Sequence, residues 1–140
     1  YGFIVRLSEL LTRNKAGKAA LRVPSGASVV TAVPVGASQD RLAAVSSDGR
    51  MLVFPLSELP ELPRGKGNKI FGISTKKSLV EPETLLAIAA VAPGQTLKVL
   101  CGDRTMGLSY KDLAEYRGER GQRGAVLPRG WRKAEGLEVE

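Results

Sequence analysis

A short apolar run followed by a Gly-rich basic loop recurs about every fifty residues, and a repeat of that length restricts the chain to a modular array. The middle copy is the clearest. Ser47-Asp48-Gly49-Arg50 turns into Met51-Leu52-Val53-Phe54-Pro55, then Leu56-Ser57-Glu58-Leu59, then the loop Arg64-Gly65-Lys66-Gly67-Asn68-Lys69-Ile70. The first copy has Phe3-Ile4-Val5-Arg6-Leu7, Ser8-Glu9-Leu10 and Arg13-Asn14-Lys15-Ala16-Gly17-Lys18-Ala19. The third has Thr105-Met106-Gly107-Leu108-Ser109, Lys111-Asp112-Leu113 and Arg117-Gly118-Glu119-Arg120-Gly121-Gln122-Arg123-Gly124. The approximate units are 1–41, 42–95 and 96–140 of a single domain of 140 residues. Three basic loops on one face suggest a binding surface for a long polyanion.

Strand signals dominate the chain: short apolar runs bounded by Gly, Pro, Asp and Ser. Strands are expected over 3–7, 19–23, 29–33, 42–46, 50–54, 69–73, 85–91, 96–101, 105–109, 124–127 and 136–139. Asp48-Gly49 supplies a hairpin turn that needs positive φ, and Gly102-Asp103-Arg104 does the same between 96–101 and 105–109. Many short strands with regular turns indicate an all-β sheet array, sandwich or propeller. Ser-Glu-Leu and Lys-Asp-Leu each fit one tight turn. The run Leu85-Leu86-Ala87-Ile88-Ala89-Ala90 could be helical by propensity, but Pro93-Gly94 and the repeat register favour strand. Two segments interrupt the rhythm. Residues 74–84 are polar and read as an exposed excursion, and 128–133 read as a loop whose Trp131 packs against a sheet edge in preference to stacking on a base.

The net charge of +7 and a pI near 9.9 favour an acidic partner, although many proteins are basic for no specific reason. Distribution strengthens the inference. Residues 62–80 hold five Lys or Arg and no acid, 11–38 hold four and none, and 116–133 hold six against Glu119 alone. Acids gather elsewhere, at Glu81, Glu83 and along 135–140. No apolar stretch is long enough to span a bilayer. The opening Tyr1-Gly2-Phe3-Ile4 reads as the middle of a strand and not as a signal peptide, so the chain is expected to be a fragment that begins within a repeat. One cysteine, Cys101, leaves no internal disulfide and fits a reducing cytoplasm; after the apolar run 97–100 it reads as a small core residue.

Catalytic chemistry finds little support. The chain has no histidine, so His-based metal sites and triads are excluded, and Cys101 alone cannot hold zinc. Gly65-Lys66-Gly67 lacks the rest of a phosphate-binding P-loop pattern, and the carboxylates are scattered. Neither a catalytic residue nor a bound cofactor is expected here. The basic loops can do something else. Glycine lets backbone N–H groups and cationic side chains come close to an anion, and Asn68 adds a neutral donor. Such contacts position a duplex without reading its sequence. Single-strand binding would want more exposed aromatics than a 5% content supplies. A solvated turn explains any one copy; three in register argue against it.

Tyr1-Gly2-Phe3, Arg13-Asn14-Lys15-Ala16-Gly17-Lys18-Ala19, Gly49-Arg50-Met51-Leu52-Val53-Phe54-Pro55, Gly65-Lys66-Gly67-Asn68-Lys69-Ile70 and Gly118-Glu119-Arg120-Gly121 carry a resemblance that runs over the whole chain. Together they closely resemble the C-terminal domain of the family that unites gyrase A with the A-type subunit of bacterial DNA topoisomerase IV. The resemblance implies an all-β β-pinwheel, a propeller-like array of about three four-stranded blades in an incomplete ring. It implies a non-catalytic module that binds and bends double-stranded DNA and helps select crossings for strand passage. The parent would be a type IIA topoisomerase acting in decatenation, supercoil relaxation and chromosome segregation. That parent would assemble as A2B2 and would use ATP and Mg2+ through its B-type subunit. A condensin-like partner, a nucleoid location and peripheral contact with the inner membrane belong to the same expectation. Matching positions imply phosphate contacts from Arg13, Lys15, Lys18, Arg64, Lys66, Asn68, Lys69, Arg117, Arg120 and Arg123. Gyrase A carries a Gln-Arg-Arg-Gly-Gly-Lys-Gly box for wrapping DNA. Here Glu61-Leu62-Pro63-Arg64 precedes Gly65-Lys66-Gly67, which argues against gyrase-like wrapping.

Two rival readings follow from the same loops. A protein-interaction propeller would hold an acidic protein, and exposed apolar residues on the loop face would favour it. A small RNA-binding protein would prefer single strands or A-form helices.

Overall fold

In the computed structural model, which describes residues 1–74 and 82–140, the hairpin of the middle repeat is the structural centre. Strand β1 (Arg41–Ser46) returns as β2 (Arg50–Pro55), with Val45 opposite Met51 and Arg41 opposite Pro55. The turn is closed by Gly49 N–H donating to the Ser46 carbonyl at 3.1 Å, with Gly49 at φ +73°. Strand β3 (Leu85–Val91) pairs with the free side of β1, with a register shift at Val45/Ser46. The short β6 (Ala125–Val126) pairs with β2. The result is an antiparallel four-stranded sheet in the order β3-β1-β2-β6.

A second antiparallel sheet comes from the third repeat. Strand β4 (Thr96–Cys101) forms a hairpin with β5 (Arg104–Ser109), and β7 (Gly136–Val139) pairs along the other side of β4. Its order is β5-β4-β7, and β7 lies against β3. Three short 3-10 turns, Leu7–Leu10, Leu56–Glu58 and Asp112–Tyr116, link these pieces.

Side chains alternate across the pleat and feed two apolar layers. Ala43, Val45, Met51 and Val53 face one layer, shared with Leu97, Val99, Leu113, Tyr116 and Leu127. Leu42, Ala44, Leu52 and Phe54 face the other, shared with Leu56, Ile70 and Phe71. Strands β1 and β2 are therefore buried on both faces, which accounts for their continuous apolar sequence. The first layer docks the second sheet. The second layer holds the chain that leads out of the middle basic loop.

The strands expected at 85–91, 96–101 and 136–139 occur with those bounds, and the segment that could have been helical is β3. Those at 42–46, 50–54, 105–109 and 124–127 shift by one or two residues. Segments 3–7, 19–23, 29–33 and 69–73 form no named strand. Gly2, Ile4 and Leu21 make single bridges to Asn68, Glu61 and Gly65, and residues 21–32 are exposed, without the neighbouring strand that a ladder requires. Ile70 and Phe71 are buried by the apolar layer instead of by strand pairing. Of the excursion expected over 74–84, residues 75–81 lie outside the described residues. Within it Glu83 is buried, contrary to the exposed reading, because the Ser74 N–H and the Arg123 guanidinium satisfy its carboxylate. Cys101 is half-buried at the end of β4 and stands outside both apolar layers.

Candidate nucleic-acid interface

The middle basic loop is a seam on which the first repeat and the third basic loop converge. Gly2 and Asn68 exchange backbone hydrogen bonds at 2.9 Å in each direction. Gly67, at φ +79°, permits that approach: a Cβ there would fall 1.9 Å from the Gly2 carbonyl oxygen. Next to it, Arg22 N–H donates to the Gly65 carbonyl at 2.8 Å and Gly65 N–H donates to Ala20 at 3.0 Å. The first repeat is thus stitched to one side of the seam. On the other side, Gly121 N–H donates to Ile70 at 3.0 Å, Gly72 N–H donates to Gln122 at 2.7 Å, and Arg120 Nη1 donates to the Lys69 carbonyl at 2.8 Å. The segments flanking the first loop, and the third loop itself, therefore meet at the middle loop.

Their side chains are not equivalent. Arg13, Lys15, Arg64, Lys69 and Arg117 are exposed. Lys18 is exposed as well, with Nζ donating to the Glu9 carbonyl at 2.6 Å. Lys66 is half-buried and lies 4.0 Å over the Tyr1 ring, while Asn68 is exposed with its backbone engaged by Gly2. Arg22 was not singled out from the sequence, yet it sits beside Gly65. With Arg64, Ala19, Ala20 and Leu21 it lines a cleft of about 530 Å³. The acid-free run over 11–38 carried that signal, but Arg22 falls outside the repeated loop.

Acids temper the rim. Glu61 pairs with Arg6 at 2.5 Å. Glu58 accepts the Arg120 N–H at 3.0 Å, and Glu58, Glu119 and Arg120 line a small cavity of about 270 Å³. Arg120 is therefore half-buried among backbone and carboxylate partners.

Arg123 departs furthest from the expected role. Its Nη1 donates to Glu83 Oε2 at 2.6 Å and to the Gly72 carbonyl at 3.0 Å, its Nη2 reaches Glu83 Oε1 at 3.4 Å, and Asp48 lies at 3.7 Å. Glu83 Oε2 also accepts the Ser74 N–H at 2.6 Å. Burial pushes the Glu83 carboxyl up, but the Ser74 N–H and Arg123 together hold it below the usual carboxylate value. A guanidinium engaged this way is a poor candidate for a mobile phosphate contact. Trp131 is likewise occupied: it packs against the first apolar layer, and the Arg104 guanidinium covers its face at 4.7 Å.

Among the described residues no group of three or more Cys, Asp or Glu could hold a metal ion, and no helix is long and apolar enough to cross a membrane. The surface is suited to a polyanion.

Comparison with known proteins agrees with this architecture. A family model described as the DNA gyrase C-terminal domain, a beta-propeller, matches residues 1–36 and 40–92. The chain belongs to this family. The gyrase-type C-terminal domain is similar to the A-type subunit of DNA topoisomerase 4 from Pseudomonas aeruginosa, with 46% identity over 141 residues, spanning all of this chain and 19% of that one. It is 36% identical over 140 residues to the Escherichia coli K12 protein of the same name, of which it spans 18%. It thus covers less than a fifth of the length of these relatives. Among solved structures, the E. coli ParC C-terminal domain superposes with a TM-score of 0.82 at 36% identity, covering all of this chain and 56% of that one. A crystal structure of the C-terminal domain of DNA topoisomerase IV superposes with a TM-score of 0.70 over 97% of this chain and 42% of that one; its 18% identity speaks to the fold alone. The all-β, open propeller-type architecture that the resemblance implied is the one observed, with a four-stranded and a three-stranded sheet among the described residues.

Proposed function

We propose that this gyrase-type C-terminal domain is the non-catalytic DNA-binding module of a topoisomerase IV, carried on the A-type subunit, with repeat units near 1–41, 42–95 and 96–140. The observation that carries the reading is the convergence of the first repeat, through Gly2, Ala20 and Arg22, and of the third basic loop on the 65–72 seam. A duplex laid across that surface meets Arg13, Lys15, Lys18, Arg22, Arg64, Lys66, Asn68, Lys69 and Arg117, with Arg120 at the margin. Contacts of this type grip phosphates and read little sequence. Loops on successive blades favour curved DNA, and repeated contacts can offset an elastic bending cost of roughly 1–6 kcal/mol. In the parent A2B2 enzyme the module would help choose the crossings for strand passage in decatenation, supercoil relaxation and chromosome segregation. ATP and Mg2+ would act through the B-type subunit. A nucleoid location, peripheral contact with the inner membrane and a condensin-like partner complete the proposal.

Replacing Arg64, Lys66 and Lys69 together with Glu tests it. Affinity for any mixed-sequence duplex should fall by about tenfold or more, with the fold retained, since all three lie outside the apolar layers. Unchanged affinity removes this loop from the interface.

A second reading has one observation in its favour. Leu7 is 81% and Leu11 78% exposed beside the first basic loop, as a docking surface for an acidic protein would require. Leu7→Ser and Leu11→Ser should leave duplex binding intact; if duplex binding is lost, the apolar face belongs to the same interface.

A further inference from the structure

We propose that Arg123, held by the buried carboxylate of Glu83, is a positioning residue that fixes the spacing between the second and third basic loops, and is not itself a phosphate contact. The proposal rests on the nucleic-acid reading above and assigns one of its cations a different part.

The Glu83 side chain is fully buried while that of Arg123 is 38% exposed, so the charge pair lies at the junction of interior and surface. Its two ends belong to different repeats, 40 residues apart. One carboxylate oxygen takes both the Ser74 N–H and Arg123 Nη1, and the same nitrogen donates to the Gly72 carbonyl. Gly72 and Ser74 follow the second loop directly; Arg123 closes the third. The pair is thus a clasp placed where the backbones already meet, at Gly72 to Gln122 and Gly121 to Ile70. An isolated buried carboxylate is unfavourable, so Glu83 holds Arg123 as firmly as Arg123 holds the loop. Arginine suits this geometry because Nη1 meets Glu83 Oε2 and the Gly72 carbonyl while Nη2 reaches Glu83 Oε1, a fixed planar fork that a lysine ammonium, with its donors on one nitrogen at the end of a flexible stem, does not reproduce.

The sign of one substitution separates the two roles. A carboxylate beside a polyanion site opposes binding, so neutralising Glu83 should tighten binding if charge alone matters. Positioning demands the reverse. In Glu83→Gln, affinity for a mixed duplex of about 40 base pairs should weaken roughly threefold to tenfold, the size of losing one or two phosphate contacts, even though the net charge rises above +7. Hydrogen exchange at the Gly72 and Gly121 amides should quicken about tenfold, a readout that needs no DNA. Arg123→Lys should behave alike, whereas a phosphate contact would be rescued by lysine. The double variant Glu83→Gln/Arg123→Gln should bind no more weakly than the worse single variant. Melting curves confirm that each variant is folded at the working temperature; if Glu83→Gln is not, Arg123→Lys carries the test.

Parental or tighter binding by Glu83→Gln, full affinity of Arg123→Lys, or unchanged exchange at both amides overturns the proposal. A parent chain that binds no duplex overturns the nucleic-acid reading instead, and the exchange measurement then decides on its own whether the clasp sets the loop spacing.

Discussion

Gly67 has no space for a side chain, because a Cβ there would overlap the Gly2 carbonyl, and its φ of +79° is one that other residues rarely adopt. Gly67→Ala should therefore destabilise the domain by about 2–4 kcal/mol and lower its melting temperature by about 10 °C. A melting temperature within a degree or two of the parent's would mean that residues 1–4 are not docked on the seam. The glycine itself was visible in the sequence as part of a Gly-rich loop. Its partner, 65 positions earlier, was not, since only the folded chain brings Gly2 there. Arg123 gives the same lesson with the opposite outcome. Its place in the third basic loop, matched to the family resemblance, made it a candidate phosphate contact, and the acid that engages it stands 40 residues away. Asp48-Gly49, by contrast, was legible because a tight turn is decided by adjacent residues.

The two faces of β2 serve different parts of the molecule. Phe54 and Leu52 support Ile70, Phe71 and, at the margin, Ile4 and Ile73, whereas Met51 and Val53 support Leu97, Val99 and the second sheet. Truncating Phe54 to Ala should cost about 3–5 kcal/mol and should loosen the basic seam before the rest. Amide exchange at Asn68 and Gly72 should then rise further than at Val99. In Val53→Ala the order should reverse. Equal loosening in both variants would mean that the two layers unfold as one unit. Strands with both a local pattern and a neighbour, such as Leu85–Val91 and Thr96–Cys101, could be read directly. Segments such as 19–23 and 69–73 had the pattern but meet their neighbours, Gly65 and residues 121–122, through isolated backbone hydrogen bonds and not through a ladder. Pairing decided their form, and pairing is a property of the whole fold.

At the scale of the molecule, the repeat predicted three basic loops but could not say how they stand relative to one another. The structure joins the first repeat and the third loop through the second, so the proposed interface would be one continuous surface and should titrate as one. Each neutralised phosphate on a duplex contributes about −0.9 to the slope of log affinity against log salt. With Arg123 clasped and Arg120 half-buried, the exposed cations of the three loops can neutralise roughly six phosphates, for a slope near −5. Fluorescence anisotropy with unrelated mixed-sequence duplexes should give that slope for each of them, because phosphate contacts are common to all sequences. A slope near −2 would confine binding to a single loop, so that convergence on the seam would serve the fold and not the ligand. Equal slopes with very different affinities would mean that duplex deformability, and therefore bending, is being sensed as well.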